Sequence, residues 1–304
     1  MMDGLSRREF VRLGAMGAAA VPFVVDTAPT GAVAPTAQAI VDRIRQNVGV
    51  EWNRTTVDTF KAGDPSTVIT GIVTTSLATF EVMRRAMQAG ANLIITSGPT
   101  FYSRADTPTP GGRRGEGPPP PDQVFTAKND FIIRNRLVVW RFSDHWRART
   151  PDPFAQGIVD ALGWAKHRVD GDPRRITVPA ITIDALARDL KTKLNVHGGM
   201  RVIGKPEARV QKIAVLPGTI PIQTTLAVLP EVDAIIAGEI REWESSEYAR
   251  DLVHAGRRKG LILVGRSLSE DPGMNVCAGW LKTIVSDAPV RWIPAGDPYW
   301  RPAA

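Results

Sequence analysis

Apolar residues recur along this chain in two alternating patterns, short β-branched runs and longer stretches at helical spacing. That alternation predicts strands interleaved with helices. Ile40, Val41 and Ile44, with Arg43 and Arg45 between them, predict an amphipathic helix over 39–47. The run 68–75 reads as a buried strand, 77–89 as a helix stopped by Gly90, and 91–96 as a second buried strand broken by Ser97-Gly98-Pro99. A strand, a helix and a parallel strand in so short a span make a βαβ unit. Further on, 128–136 reads as helix and 137–142 as a strand that runs into Ser143-Asp144-His145-Trp146. A helix follows over 154–164, and Asp170-Gly171-Asp172-Pro173 breaks the chain before a strand over 175–179. Leu186, Leu190 and Leu194 mark one face of a helix over 182–194.

The second half repeats this grammar. Strands are expected at 201–204 and 210–216, the latter closed by Pro217-Gly218, then a helix over 224–229 and a short strand over 234–237 ending in Gly238-Glu239. A helix over 243–255 stops at Gly256, a strand spans 260–265, and a closing helix covers 274–281. The fold class is therefore α/β in two lobes, each a sheet flanked by helices, with the division placed near residue 200: one lobe 40–200, the other 201–304. Residues 103–123 hold Pro108, Pro110 and four prolines at 118–121 among glycines and arginines, which predicts an exposed loop. The turn-rich tail 294–300 is expected to dock back on the fold.

The N-terminus carries a different signal. Ser6-Arg7-Arg8-Glu9-Phe10 precedes an apolar, small-residue run over 13–25, the pattern of a twin-arginine export signal. Small-x-small sites at Ala32-Val33-Ala34 and Ala37-Gln38-Ala39 place the end of the leader at about residue 39, with the processed chain starting near Pro35 or Ile40. The expected destination is the periplasm or the cell exterior. The apolar run is too short for a permanent span, so no transmembrane domain is expected in the mature chain. A single cysteine, Cys277, leaves no intramolecular disulfide to stabilise an exported fold. The net charge of +7 comes from scattered Arg and Lys rather than a coherent basic face, which argues against a nucleic-acid partner. Of the tryptophans, Trp140, Trp146, Trp164, Trp243, Trp280, Trp292 and Trp300 fall on separate elements and read as core or interface anchors.

In open α/β sheets, sites gather at the carboxyl ends of strands. That rule points to Ser97-Gly98, to the stretch from Ser143 to Arg147, to Glu239 through Glu244, and to Arg266 through Glu270. No nucleophile elbow, phosphate loop, dinucleotide fingerprint or Cys-x-x-Cys is present, and His145, His167, His197 and His254 form no metal-binding pair at helical spacing.

The stretch from Val57-Asp58 through Gly71-Ile72-Val73, the run 89–96, Pro99-Thr100-Phe101-Tyr102 and Val138-Val139-Trp140-Arg141-Phe142-Ser143-Asp144-His145-Trp146 resemble the Nif-three-like family, also described as GTP cyclohydrolase type 2 homologues. Gly238-Glu239-Ile240-Arg241-Glu242-Trp243-Glu244 resembles that family's Gly-Glu segment, and Gly265-Arg266-Ser267-Leu268-Ser269-Glu270 falls on its Gly-His-x-x-x-Glu motif. The resemblance implies a two-lobed α/β fold, assembly into a hexameric ring, and a pair of metal ions between the lobes. It also implies where the ligands should stand. Ser97 and Gly98 occupy the first ligand turn without a donor side chain of the expected kind; Ser143 and Arg147 stand where relatives offer His or Asp; Arg266 replaces the late His. Asp144, His145, Glu239 and Glu270 are the residual metal candidates.

A guanidinium keeps its charge at any relevant pH and cannot be a metal donor. Arg266 and Arg147 are therefore expected to neutralise Glu270 and its neighbours and to leave a pocket suited to small anions. The expected cofactor is none tightly bound, and the expected role is a binding or assembly protein. The rival is a metal-dependent hydrolase in which Asp144, His145, Glu239 and Glu270 still hold one manganese, zinc or iron ion that activates water.

Overall fold

The computed structural model describes residues 34–104, 106, 122–300 and 302. The twin-arginine motif and most of the proline-rich loop lie outside these residues. The body begins with helix α1 (Ala37–Asn47), capped by the Thr36 hydroxyl, which accepts from the Ala39 amide, and buried along Ile40, Val41 and Ile44. Pro35 O already accepts the Ile69 amide at 2.8 Å, and Ala37 is fully buried. Of the two expected processing sites, removal after Ala34 leaves this packing whole, whereas removal after Ala39 would take away the first helical turn.

Strands β1 (Phe60–Ala62) and β2 (Ile72–Thr75), helix α2 (Phe80–Gln88), strand β3 (Leu93–Thr96), helix α3 (Gln123–Arg134) and strand β4 (Val138–Arg141) follow. Thr79 and Asp122 supply the caps of α2 and α3. Short helix α4 (Asp144–Arg147) and helix α5 (Pro153–Ala161), opened by Asp152 and Pro153, lead into the second sheet. Its elements are β5 (Arg168–Val169), β6 (Asp172–Thr182), α6 (Ile183–Lys193), β7 (Arg201–Ile203), β8 (Arg209–Thr219), α7 (Ile222–Val228), β9 (Ala234–Glu239), α8 (Glu247–His254) and β10 (Gly260–Leu263). Helix α9 (Arg266–Ile284) and strand β11 (Val290–Trp292) close the chain. No helix among the described residues is long and apolar enough to cross a membrane.

The first sheet has the order β1-β4-β3-β2-β11, parallel except for β1 at its edge. The second has the order β5-β6-β8-β9-β10-β7, with the parallel trio β8-β9-β10 at its centre. The α/β class with two helix-flanked sheets is thus observed, but the sheets do not divide at residue 200. The strands from Arg168 onward already belong to the second sheet, and β11 returns to the first beside β2. Periodicity shows that a strand exists; it does not show which sheet the strand will join.

Each sheet buries both faces. In the first, Ile72, Leu93, Ile95 and Trp140 pack with α1 and the later turns of α9, while Val73, Ile94 and Val139 pack with α2. In the second, Ile213, Val215 and Ile236 meet α5 and α6, and Ile235, Leu261 and Leu263 meet Leu229, Val232 and α8. Helix α9 serves both sheets, since Leu268 joins the second core and Met274, Cys277 and Leu281 join the first.

Several boundaries differ from expectation. Asp170 to Pro173 is not a break but the turn of a hairpin, with Gly171 at φ 80°, and β6 runs on through Pro179 because the β6–β8 register shifts there. Strand β8 likewise continues past Pro217-Gly218 to Thr219, again through a register shift. The predicted helix over 243–255 opens with a wide π turn, Glu242–Ser246, before α8. Trp140 and Trp146 are core residues, but Trp243 and Trp300 are 72% and 77% exposed and anchor no core.

Candidate functional site

The carboxyl ends of β3, β4, β8 and β10 converge on a cleft of about 580 Å³ between the sheets. Its described lining includes Arg104, Arg141, Arg147, Arg174 and Arg266, five arginines against the three carboxylates of Asp144, Asp152 and Glu270. The first turn of α9 brings Arg266 and Glu270 to the cleft. These residues were expected in a loop after the last strand, with the helix starting only at Met274; instead the helix begins at Arg266 and continues through Pro272.

Glu270 is the centre of the arrangement. Its side chain is almost fully buried; Oε2 accepts from Ser97 Oγ at 2.9 Å and Oε1 accepts from Arg147 Nη2 at 3.0 Å. Arg147 also donates to Pro217 O at 3.3 Å and lies 4.3 Å from the Phe154 ring centroid. Arg266 Nε stands 3.8 Å from Glu270 Oε1, and its Nη1 stands 3.8 Å from Glu239 Oε1. Both distances exceed a hydrogen bond. Arg266 Nε is itself buried without a partner among the described residues. Gly218, at φ 84°, completes this corner, because a Cβ there would lie 2.7 Å from Glu270 Oε1. Only glycine allows β8 to pass so close to the ion pair.

The other expected residues are placed as follows. Asp144 faces the cleft and accepts from Thr56 Oγ1 and the Val57 amide through Oδ2. Ser143 lines it as well, while Ser97 lies behind Glu270 and Gly98 packs against Ser76 O. Glu239 lines a neighbouring cavity and accepts from the Thr219 hydroxyl. His145 is turned away into the core. Its Nδ1 is 2.7 Å from Asp58 Oδ2, its Nε2 accepts the Asn53 amide at 2.8 Å, and its ring stacks on Trp52 at 3.7 Å. Both ring nitrogens are taken, so the expectation that His145 donates to a metal is not met by this geometry.

Sequence reasoning missed Asp58, Arg141, Asp152 and Arg174. Fully buried Asp58 accepts the amides of Ser143, Asp144 and His145 and so sets the turn after β4. Arg141 donates to Ser97 O and Arg104 O and pairs with Asp106 at 3.4 Å. Burial pulls its guanidinium below the usual arginine range against the attraction of Asp106, and Arg266 pushes the same way as burial. Nearby, burial lowers Lys128 to about 8, its Nζ donating to Thr100 O at 2.6 Å. Positive charge is thus in surplus both on the cleft wall and beneath it. Asp152-Pro153 is a helix-start signal that could have drawn attention to Asp152; Arg174, one arginine among many on a hairpin, carried no signal at all.

A pair of divalent cations needs several free N or O donors. Glu270 is bonded on both oxygens and His145 on both nitrogens. No three His, Cys, Asp or Glu side chains among the described residues are placed to hold a metal ion. The side chains present do not fit the dinuclear centre that the resemblance implies.

No family model matches the chain, and no curated protein matches its sequence. Solved structures do match. A hypothetical protein of Staphylococcus aureus, SA1388, superposes with a TM-score of 0.65 at 14% identity, covering 88% of this chain and 99% of the other. A Bacillus cereus protein related to NIF3 gives 0.64 at 13% identity over 88% of this chain and 99% of its own. The protein ybgI, described as of unknown function, gives 0.63 at 17% identity over 87% of this chain and 100% of its own. The chain therefore shares the fold of these three structures, one of them related to NIF3, across nearly its whole described length, and the likeness is one of architecture.

Proposed function

We propose that this chain is a divergent, exported Nif-three-like protein whose inter-sheet cleft binds a small anion where the resemblance would place a dinuclear metal centre, and that it works as a binding or assembly protein. The shared architecture and the residues after β4 and β10 support the family. One observation carries the anion reading: Glu270 is fully engaged by Ser97 and Arg147, while Arg266, at the same corner, has no hydrogen-bond acceptor among the described residues. A guanidinium facing a cleft without an acceptor is a donor fork for a carboxylate or phosphate. Export by the twin-arginine route and assembly into a ring of identical subunits are part of the same proposal.

Calorimetry with inorganic phosphate and acetate, alongside elemental analysis after exposure to manganese, zinc and iron, tests the reading. Wild type is expected to bind anion with no stoichiometric metal, and Arg266→Gln to weaken binding about tenfold, the value of one charge-assisted contact. One or two tightly held ions per chain that disappear on Glu270→Ala would overturn the anion reading and favour the metal-dependent hydrolase instead.

A further inference from the structure

The charged groups along the cleft form an ordered array. Arg174 bonds Asp152 Oδ2 through Nε at 3.1 Å and approaches it through Nη2 at 2.9 Å. The same oxygen lies 4.0 Å from Arg147 Nη1. Arg147 then bonds Glu270, and Glu270 Oε1 faces Arg266 at 3.8 Å. Read in order from Arg174, the array is arginine, carboxylate, arginine, carboxylate, arginine, with the half-exposed carboxylate of Glu239 a further 3.8 Å beyond Arg266. Asp152 and Glu270 are buried, so neither can swing away.

This order decides where an anion can sit. The middle guanidinium, Arg147, is flanked by Asp152 on one side and Glu270 on the other, and an anion placed there would meet two fixed negative charges at short range. The two ends are different. Arg266 makes no hydrogen bond among the described residues; Glu270 and Glu239 each stand 3.8 Å from it, but the Glu239 side chain is 44% exposed and is not fixed by burial, and buried Arg141 adds positive charge beside the pair. Arg174, whose side chain is 46% exposed, is held by Nε and Nη2 alone, with Nη1 unpartnered among the described residues. The same cleft also carries an apolar strip of Leu216, Pro217, Ile220 and Pro221 from the end of β8 and the turn before α7.

Resting on the anion-binding reading, we infer that the cleft takes an aliphatic dianion, a molecule with one anionic group for Arg174, another for Arg266, and a short apolar span between them. The volume of about 580 Å³ suits such a molecule. The second anionic group binds without a second loss of translational freedom, so a ligand of matching length gains affinity over a single-ended one.

The test is a calorimetric series on the full chain with acetate, inorganic phosphate, succinate, glutarate, adipate and pimelate. One chain length among the dicarboxylates should bind at least about tenfold more tightly than acetate, with shorter and longer members weaker. Arg174→Gln should return that dicarboxylate to the level of acetate; the wild-type series decides the matter by itself if this variant folds poorly. If acetate or phosphate binds and depends on Arg266, yet no dicarboxylate exceeds acetate, the two-ended ligand is overturned and the anion site stands. If no anion binds at all, both fall.

Discussion

Asp58 shows how much one buried carboxylate can organise. Its two oxygens accept three successive amides, Ser143 at 2.6 Å, Asp144 at 3.0 Å and His145 at 2.9 Å, as well as the His145 ring. That turn places Ser143, Asp144 and Arg147 at the cleft, so Asp58 positions the site without touching it. Asp58→Ala would strand those donors in the core and is expected to cost about 3 kcal/mol or more. Asp144→Ala, whose carboxylate is exposed and, among the described residues, accepts only from Thr56 and Val57, should cost under about 1 kcal/mol. Urea denaturation of both variants checks the contrast; equal effects would remove Asp58 from its role. Residue identity made the chemistry of Arg266 and Glu270 legible, because a guanidinium cannot ligate a cation. It could not reveal that His145 is spent on Asp58 and Asn53, since those partners lie 87 and 92 positions away in sequence.

Helix α9 shows the same limit one level up. The sequence placed the closing helix only over 274–281, beyond Pro272, a residue type that removes a hydrogen bond and crowds the preceding turn in a helix interior. The helix nevertheless runs through Pro272, packed closely against α5. Gly157 makes this contact possible: a Cβ there would lie 2.5 Å from Pro272 O and inside the envelope of the adjoining backbone. Alanine is favoured over glycine in an isolated helix by about 1 kcal/mol. Here overpacking against rigid backbone outweighs that gain, and Gly157→Ala is expected to destabilise by about 1–3 kcal/mol. Because α9 carries both Arg266 and Glu270, the variant should also weaken anion binding. Denaturation together with phosphate calorimetry reads both effects, and a stabilised variant would contradict the packing argument.

At the scale of the whole molecule, the chain ties its two sheets together through α9 and again through the tail. After β11 leaves the first sheet, Asp297 Oδ2 accepts the amides of His197, Gly198 and Gly199, just ahead of β7 in the second sheet. Burial opposes ionisation of this carboxyl, but the amides of Gly198, Tyr299, Gly199 and His197 together hold it below the ordinary carboxylate range. The sign follows from that direction. A depressed folded value means the tie is fully present above the unfolded value of about 3.9 and is lost as pH falls through the folded value below it. Hydrogen-exchange protection of residues 197–199 should therefore hold above about pH 4 and decline beneath it. Asp297→Ala should lower that protection roughly tenfold at neutral pH and abolish the acid dependence. Protection unchanged in the variant would show that the tail is held by other contacts.

The succession of β-branched runs and amphipathic stretches was enough to settle the α/β class and most of the elements, because burial of an apolar face is a local demand written at periods of 2.0 and 3.6. The same locality made the fixed positive charge of Arg266 readable from one position, since a guanidinium stays protonated wherever it lies. Sheet membership, the return of β11 to the first sheet, the passage of α9 through Pro272 and the ordered row from Arg174 to Arg266 were settled only in the folded chain. Each depends on which distant backbone or side chain comes within a few ångströms, and packing makes that choice among options that local pattern leaves equal.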